Sequence, residues 1–253
     1  VEVKGSKRWL DIFFLPRLQP IELVKPFFII VLSTLITFDK LKNFTLKFIL
    51  TLFLTLLIAF FLIIQPDLGQ TLLVGFTWMI LIFISGVNLV FLLTISVLGL
   101  SLLIYFTFYV PKFEYIKNRI LSFFNSESGT HNFQSDKATD SIISGGFFGK
   151  GIGEGTLKNR VPEAHTDYIV SVISEEFGVI VIILILILFL TFIFSIFKKV
   201  NVEKDHKTKL ILVGSASLIL FQAMIHIGVN IRLFPTTGMT LPFLSYGGSS
   251  IIS

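Results

Sequence analysis

Long runs of apolar residues constrain the fold of this 253-residue chain more than any other feature. A helix needs roughly 20 predominantly apolar residues to cross about 30 Å of hydrocarbon, and several runs approach that length. No alternating pattern typical of strands accompanies them. The sequence therefore predicts an all-α, polytopic membrane protein. Six runs are predicted to span the membrane, and a seventh is predicted to begin near Tyr246: residues 20–38, 48–64, 70–85, 87–110, 177–197 and 210–230.

Composition supports the membrane class and excludes several others. The chain is 53% hydrophobic and carries a net charge of +5. Its lysines cluster in short loops between apolar runs, which is typical of membrane topology, so the charge does not indicate nucleic-acid binding. The absence of cysteine excludes a disulfide framework, a cysteine-ligated metal and a thiol nucleophile.

Loop charges predict which side of the membrane each loop occupies. The lysine-bearing loops 39–47 and 198–209 are expected to be cytoplasmic. Four predicted spans separate them, so they fall on one side. The long polar stretch 111–166 and the loop 231–245 are then expected to be extracytoplasmic.

The chain is predicted to be one partial membrane domain, residues 1–253, with 111–166 as a large loop within it. The sequence begins at Val1 without Met and ends at Ser253, where another span is beginning. We therefore expect a fragment that lacks both ends of a longer protein.

Charged side chains crowd the segment RVPEAHTDYIVSVISEEFGVIVI, residues 160–182. A helix is predicted from Asp167, whose carboxylate suits either an ordinary N-cap or a functional site. On that helix Asp167, Ser171, Ser174 and Gly178 share one small, polar face, which would line a cavity leading from Asp167. The acidic pair 175–176 is predicted to serve as interface or packing residues.

The glycine-rich segment SGGFFGKGIGEGT, residues 144–156, allows two interpretations. Its backbone N–H groups could form a nest for phosphate, with Lys150 adding positive charge. Alternatively, the glycines serve only a flexible or tightly turning loop.

Three other segments contain candidate residues. Glu22 and Lys25 form either an i,i+3 ion pair or a site where Lys25 and Arg8 face an anionic headgroup. Asp67, after Pro66, is either a helix cap or an acid in a cavity. The segment 230–250 is predicted to be an ordered, packed loop, whose serines, Ser245 among them, can hydrogen-bond across helices.

Seven motifs occur in an order that resembles the SEDS family, the shape, elongation, division and sporulation proteins of bacterial cell-wall synthesis. The resemblance covers essentially the whole chain, and "PEAHTD" and "TLPF" are more similar to the division members than to the elongation members. Ile21 and Arg232 stand where small or apolar residues are usual. The motifs are GSKRW, QPIE, QPDLGQ, SGGFFGKGIGEGT, PEAHTDYI, EEFG and LFPTTGMTLPFLSYGGSS.

The resemblance implies a ten-helix fold, of which this chain would supply the fourth to tenth helices. It also implies a peptidoglycan glycosyltransferase that polymerises lipid II, an undecaprenyl diphosphate-linked substrate, on the outer face of the cytoplasmic membrane. The family's essential carboxylate corresponds to Asp167. The truncated segment by itself is not expected to keep the activity of its parent.

The mechanism expected from the resemblance makes Asp167 the base that takes a proton from the acceptor sugar. Cationic groups, with a divalent cation (Mg or Mn) as a candidate cofactor, would neutralise the departing diphosphate. No metal site of the protein itself is predicted. The candidate substrate-binding residues are Arg8, Lys25, Asp67, Lys150, Arg160, Glu163, His165, Thr166 and Ser245.

The expected partners are a class B penicillin-binding protein transpeptidase and other division proteins, at the septum of the cytoplasmic membrane. Three alternatives stay open at this point. The protein could be a lipid II flippase, an elongation-type polymerase or a non-catalytic scaffold that recruits the transpeptidase.

Overall fold

The computed structural model describes residue 10 and residues 19–124, 130–157 and 160–246. Within these ranges the chain is helical, and no strand is found, as the apolar runs predicted. Arg8 and the span predicted after Tyr246 lie outside the described residues. The α-helices in chain order are α1 Pro20–Thr37, α2 Phe44–Ile64, α3 Leu68–Ile84, α4 Leu89–Tyr109, α5 Glu114–Phe124, α6 Thr130–Gly145, α7 Ile169–Phe177, α8 Val179–Val202 and α9 His206–Asn230.

Five of these helices, α1, α2, α4, α8 and α9, are long and apolar enough to cross a membrane. The sixth predicted span corresponds to α3, an apolar helix of 17 residues. At 1.5 Å per residue α3 is about 25 Å long, close to the lower limit for a span. The all-α, multi-pass prediction is confirmed, while the side of the membrane that each loop occupies stays a prediction.

The polar stretch 111–166 is more regular than a loop. A short 3₁₀ turn at Pro111–Phe113 leads into α5, and α6 follows. The segment from Gly146 to Tyr168 then consists of turns in its described part. Helical structure in this stretch places the glycine-rich segment directly after a helix end.

The helix predicted from Asp167 does not continue through Gly178 into the span predicted over 177–197, and two helices are found instead. Gly178 separates α7 from α8 with φ +82° and ψ 174°, a backbone conformation that other residues rarely adopt. A Cβ at this position would lie 2.1 Å from the carbonyl oxygen of Phe147, so only glycine fits. α8 then continues past the predicted end and takes in Lys198 and Lys199, because lysine is a good helix former.

The chain divides into two compact units, and the division cuts through α8 and α9. In its described part the first unit contains residues 19–116 and 195–221. Its apolar core includes Leu32, Leu81 and Leu210, all fully buried. Gly214 allows close packing there, since a Cβ would lie 2.7 Å from the Cγ2 atom of Ile29.

In its described part the second unit contains residues 117–124, 130–157, 160–194 and 222–246, and it holds the segment with Asp167. Its core cluster joins α6, the 160–168 segment, α7 and α9. Ala138 of α6 is fully buried, and Tyr168 is 2% exposed. The segment that carries the candidate carboxylate is therefore anchored in an apolar core by its neighbours in the chain.

Candidate active site

Buried and exposed side chains alternate along the segment 160–168. Val161, Ala164 and Tyr168 are buried, whereas Glu163 and His165 are exposed. The apolar side chains anchor the backbone, because their burial removes nonpolar surface from water. The polar side chains between them point away from the core.

A tight turn closes on the carbonyl group of Glu163. This oxygen accepts hydrogen bonds from the backbone N–H groups of Thr166 and Asp167, both at 3.1 Å, and from the Thr166 hydroxyl at 3.2 Å. Glu163 adopts φ +57°, an uncommon conformation for a residue with a side chain. The turn fixes the backbone immediately before the candidate base.

Three consecutive carbonyl groups of this segment are held by the end of α9 and the loop after it. The carbonyl of His165 accepts from the backbone N–H of Tyr246 at 3.0 Å. That of Thr166 accepts from the Ser245 hydroxyl at 2.7 Å, and that of Asp167 from the Asn230 amide at 3.1 Å. The backbone on both sides of Asp167 is thereby positioned from a distant part of the sequence.

Asn230 is fully buried and connects several backbone groups. Besides Asp167, its amide nitrogen donates to the carbonyl of His226 at 2.9 Å. Its side-chain oxygen accepts from the backbone N–H of Ser171, in the first turn of α7, at 3.3 Å. Sequence analysis did not single out Asn230, and no local motif marks it, because its partners Asp167 and Ser171 lie 63 and 59 residues away in the chain.

Asp167 is not the N-cap of α7, so the capping interpretation is wrong. α7 begins at Ile169, Tyr168 occupies the cap position, and the Tyr168 side chain makes no cap hydrogen bond. Asp167 precedes the cap by one residue, and its side chain is half-buried. The positive end of the helix dipole still favours its ionised form, which a general base requires.

Tyr168 is a buried, neutral phenol next to Asp167. Burial raises the pKa of Tyr168 to about 12, and its hydroxyl lies 3.4 Å from that of Ser135. The negative charges of Asp167 and Glu163 also raise this pKa, whereas Ser135 and Arg119 lower it. Tyr168 therefore stays protonated at neutral pH and serves as an anchor for the segment.

The polar helix face predicted to line a cavity is packed instead. Ser171 is fully buried, and its hydroxyl donates to the carbonyl of Tyr168 at 2.7 Å. Ser174 is buried against the end of α6, where a Cβ at Gly145 would lie 2.0 Å from its carbonyl oxygen. Small residues on this face permit close helix packing, which the pattern alone does not distinguish from a cavity lining.

Glu175 is fully buried, so of the two roles predicted for the 175–176 pair, interface or packing, Glu175 has the packing role. One of its carboxylate oxygens accepts from the Ser141 hydroxyl at 3.1 Å, and the other accepts from the backbone N–H of Leu157 at 2.9 Å. A Cβ at Gly155 would lie 2.8 Å from the carboxyl carbon. A sequence signal existed, because Glu175 lies four residues after Ser171, on the buried face of α7.

The glycine-rich segment does not present its N–H groups as a phosphate nest. The backbone N–H groups of Lys150 and Gly151 donate to the carbonyls of Glu175 and Glu176, at 2.9 and 3.1 Å. That of Gly153 donates to the Glu176 carboxylate at 3.2 Å. The turning-loop interpretation is thus the correct one, and the loop is attached to the C-terminal end of α7.

This attachment separates Lys150 from the candidate base. Glu175, whose carbonyl accepts from the backbone N–H of Lys150, lies eight positions after Asp167. Eight residues correspond to about 12 Å along a helix axis. Lys150 is exposed, as is Arg160. Of the cations predicted to bind substrate in this unit, Arg160 is the one on the same segment as Asp167.

Arg232, at a position where small or apolar residues were expected, forms an ion pair with Asp136 of α6 at 2.6 Å. Its backbone has φ +59°, a conformation that favours glycine. The conformation explains why a small residue suits this position. The ion pair with Asp136 offsets part of the free-energy cost of placing arginine in this conformation.

The first unit holds a separate buried polar cluster. The Lys25 ammonium lies 2.7 Å from the Glu22 carboxylate, which also accepts from the Gln70 amide at 2.9 Å. Asp67 caps α3 by accepting from the backbone N–H of Gln70 at 3.2 Å. The ion-pair and cap interpretations are confirmed, and a Lys25 that faces a headgroup is contradicted by its 2% exposure.

Among residues 19–124, 130–157 and 160–246, no three His, Asp or Glu side chains gather into an arrangement that could hold a metal ion. The residues that the structure describes therefore do not fit a metal site built by the protein itself.

Comparison with protein families identifies one match along the whole chain. The family model for FtsW, RodA and SpoVE, described as "Cell cycle protein", matches residues 1–253. Among curated relatives, "Probable peptidoglycan glycosyltransferase FtsW" of Caulobacter vibrioides is 35% identical over 99% of this chain. The protein of the same name from Escherichia coli O6:H1 is 31% identical over 99% of the chain. The chain spans 63% and 61% of the lengths of these two relatives.

Two solved structures share the fold over the full chain. One, described as "Structural coordination of polymerization and crosslinking by a peptidoglycan synthase complex", has a TM-score of 0.77 and 27% identity, and 70% of that chain is covered. The Thermus thermophilus rod shape determining protein RodA has a TM-score of 0.66 and 26% identity, and 66% of its chain is covered.

Proposed function

The chain belongs to the FtsW/RodA/SpoVE family, the SEDS family that its motifs resemble, and we propose that its protein is a peptidoglycan glycosyltransferase. In this proposal the protein polymerises lipid II into glycan strands on the outer face of the cytoplasmic membrane during cell division. Relatives named FtsW, each 31–35% identical to the chain, support the division role over an elongation role.

One structural observation carries the proposed chemistry. The carbonyl groups of His165, Thr166 and Asp167 are each held by a hydrogen bond, while the Asp167 side chain is half-buried rather than enclosed. A catalytic group needs such a fixed position, because small displacements from productive geometry cost large factors in rate. Asp167 combines a rigid backbone with access to an incoming hydroxyl group.

We propose that the Asp167 carboxylate accepts the proton of the acceptor hydroxyl as that oxygen attacks the anomeric carbon of the donor sugar. The bond from that carbon to the lipid diphosphate breaks, and the diphosphate leaves with the electron pair. Arg160, which lies on the same segment as Asp167, would interact with the leaving group, and Arg8 is a further candidate. Glu163 and His165, both exposed beside Asp167, would orient the acceptor.

Thr166 and Ser245 support this arrangement through the backbone. The Ser245 hydroxyl donates to the Thr166 carbonyl and accepts from the backbone N–H of Leu241 at 2.8 Å. Both of these bonds are made within the protein, so we assign Ser245 to positioning of the loop rather than to direct substrate contact.

We keep a divalent cation as a candidate cofactor, bound with the substrate rather than by a site of the protein. Because the described residues do not fit a metal site, no step above depends on a metal. When bound, a cation would neutralise the diphosphate that it accompanies.

We also propose a class B penicillin-binding protein as partner and the division septum as location. The support is that one structural neighbour is described as a peptidoglycan synthase complex that coordinates polymerization and crosslinking.

The test is the polymerisation of purified lipid II by the complete gene product, with Asp167→Asn as the variant. The amide is nearly the same size but accepts no proton, so we expect activity to fall by about 10²–10⁴-fold, the usual contribution of a general base. Glu163→Gln is the matched control on the same segment and should lose less. Full activity of Asp167→Asn at normal membrane levels would exclude the proposed base.

Lipid II transport is the second candidate, and the buried cluster of Glu22, Lys25 and Asp67 favours it. Ionisable groups within membrane helices are typical of transport pathways. Lipid II in detergent offers no second leaflet, so a pure flippase cannot act there. Glycan strands formed under these conditions would establish polymerisation, and their absence together with flipping in vesicles would establish transport.

A further inference from the structure

The last turn of α6 and the glycine-rich loop after it expose a group of large apolar side chains, which we name the apolar tip. It consists of Ile143, Phe147, Phe148 and Ile152, and these residues are 71–84% exposed. Four large apolar side chains exposed within ten residues of sequence are unusual where a protein meets only water, and such a group indicates contact with another apolar phase. The hydrogen bonds of the loop do not require these side chain types, because they involve backbone groups and the Glu176 carboxylate.

The apolar tip is attached to the beginning of a membrane-spanning helix. The backbone N–H of Val179 donates to the carbonyl of Gly146 at 3.0 Å, and that of Ile180 donates to the carbonyl of Phe147 at 3.4 Å. Val179 and Ile180 form the first turn of α8, a helix with 24 residues and a mean hydropathy of 3.4 over its most apolar window. Phe147 therefore lies beside the end of a candidate membrane span.

The exposed face of α8 continues the surface of the tip. Ile180, Ile183, Leu184 and Ile187 are all exposed, which is the expected condition for a face that contacts lipid. Since Phe147 is hydrogen-bonded to Ile180, the apolar tip extends this face at the level where the helix enters the bilayer. Lys150 is exposed between Phe148 and Ile152. Its side chain is long enough to reach lipid phosphate groups from the level of the apolar tip.

We propose that the apolar tip is a membrane-interface anchor, whose phenylalanines insert among the lipid headgroups and upper acyl chains. Lys150 interacts there with lipid phosphate groups. Insertion of aromatic and aliphatic side chains beside basic residues is the usual way in which a segment binds a bilayer surface without crossing it. Because the same loop is bonded to the end of α7, the anchor also sets the depth of the helix that follows Asp167.

The chain contains no cysteine, so introduced cysteines can be labelled at single sites. We would spin-label Phe148→Cys in the complete gene product in lipid nanodiscs, with Phe147→Cys as a second position. The control in water is Glu154→Cys, an exposed residue of the same loop, and the control in lipid is Ile187→Cys in α8. Collision rates with oxygen, which enriches in lipid, and with a water-soluble nickel complex report the depth of each label.

We expect the oxygen-to-nickel ratio at positions 147 and 148 to be severalfold higher than at position 154 and lower than at position 187. The proposal is overturned if both tip positions match Glu154→Cys, as they would if the tip faces water, or if both collision rates are low at both tip positions, as they would be if a protein partner covers the tip. All four substituted side chains are exposed, so their replacement should not unfold the protein, and thermal unfolding of each variant checks this. The result does not depend on the proposed enzymatic function.

Discussion

Two carboxylates at opposite ends of α7 have the same chemistry and different surroundings. Glu175 is fully buried, and each of its oxygens accepts a hydrogen bond from the α6 end or the loop that follows it. Asp167 is half-buried, and the hydrogen bonds that position it act on its backbone and on its neighbours. The Glu175 side chain joins parts of the fold by hydrogen bonds, whereas Asp167 is positioned by hydrogen bonds that other residues make to the backbone around it.

The comparison separates structural from chemical roles in a family whose motifs contain both residues. A buried carboxylate with two donors is costly to remove, because its partners are left without an acceptor. A carboxylate whose backbone is held by neighbouring groups keeps those backbone hydrogen bonds when its side chain is replaced. The predictions below test this distinction, beginning with the largest expected effect.

Removal of Glu175 should destabilise the protein strongly. Glu175→Ala leaves the Ser141 hydroxyl and the Leu157 N–H without their acceptor, and we expect a loss of about 3 kcal/mol in unfolding free energy. Glu175→Gln should cost less, because the amide can still accept from Leu157 and donate to Ser141. Thermal unfolding in detergent measures both, with Asp167→Asn, which keeps the backbone hydrogen bonds of this segment, expected to lose less stability than Glu175→Ala.

Equal stability losses in Asp167→Asn and Glu175→Ala would remove the distinction between the two carboxylates. An intact Glu175→Ala protein with no activity would move the chemical role toward Glu175.

Loss of Asn230 should affect the rate more than substrate affinity. Asn230→Ala removes the donor to the Asp167 carbonyl and the acceptor of the Ser171 N–H, so the base is no longer held in position. We expect kcat for lipid II polymerisation to fall by up to about a hundredfold, with KM little changed. Ser217→Ala is the matched control in α9, because the Ser217 hydroxyl donates to the Gly214 carbonyl of the same helix.

A purely structural role for Asn230 would give a different result. The amount of folded protein would then fall, while kcat per folded molecule would match that of the wild type.

The smallest effect is expected from Tyr168→Phe, because the hydroxyl of the wild-type Tyr168 makes a long contact, 3.4 Å, with the Ser135 hydroxyl. The pKa of Tyr168 is about 12 in the folded protein and 10.0 for an unperturbed tyrosine, so the folded state keeps the proton over this range while the unfolded state loses it. The wild type should therefore lose stability relative to Tyr168→Phe as the pH rises from about 10 to 12, and the two should differ little at pH 7. Parallel pH dependence of the two proteins in thermal unfolding would show that the phenol is not buried as described.

Much of the fold could be predicted because a membrane-spanning helix needs a continuous run of apolar residues, which is a local property of the sequence. A run of apolar residues long enough to cross a bilayer is visible without knowledge of any partner, and α1, α2, α4, α8 and α9 follow it closely. The ordered motifs likewise indicated the family, and they singled out Asp167 before its surroundings were known. The break at Gly178 was missed, since an apolar run continues across it and the reason for the glycine is the distant Phe147 carbonyl.

The sequence by itself determined an all-helical membrane protein, the approximate spans and the candidate base. Only the tertiary structure decided which polar groups are buried, which residues position Asp167 and what the glycine-rich loop binds. The physical reason is the separation of hydrogen-bond partners along the chain: 34 residues between Ser141 and Glu175, 63 between Asp167 and Asn230 and 79 between Thr166 and Ser245. Periodicity reports the environment of a residue's own helix, whereas such pairs form only when the folded chain brings distant segments together.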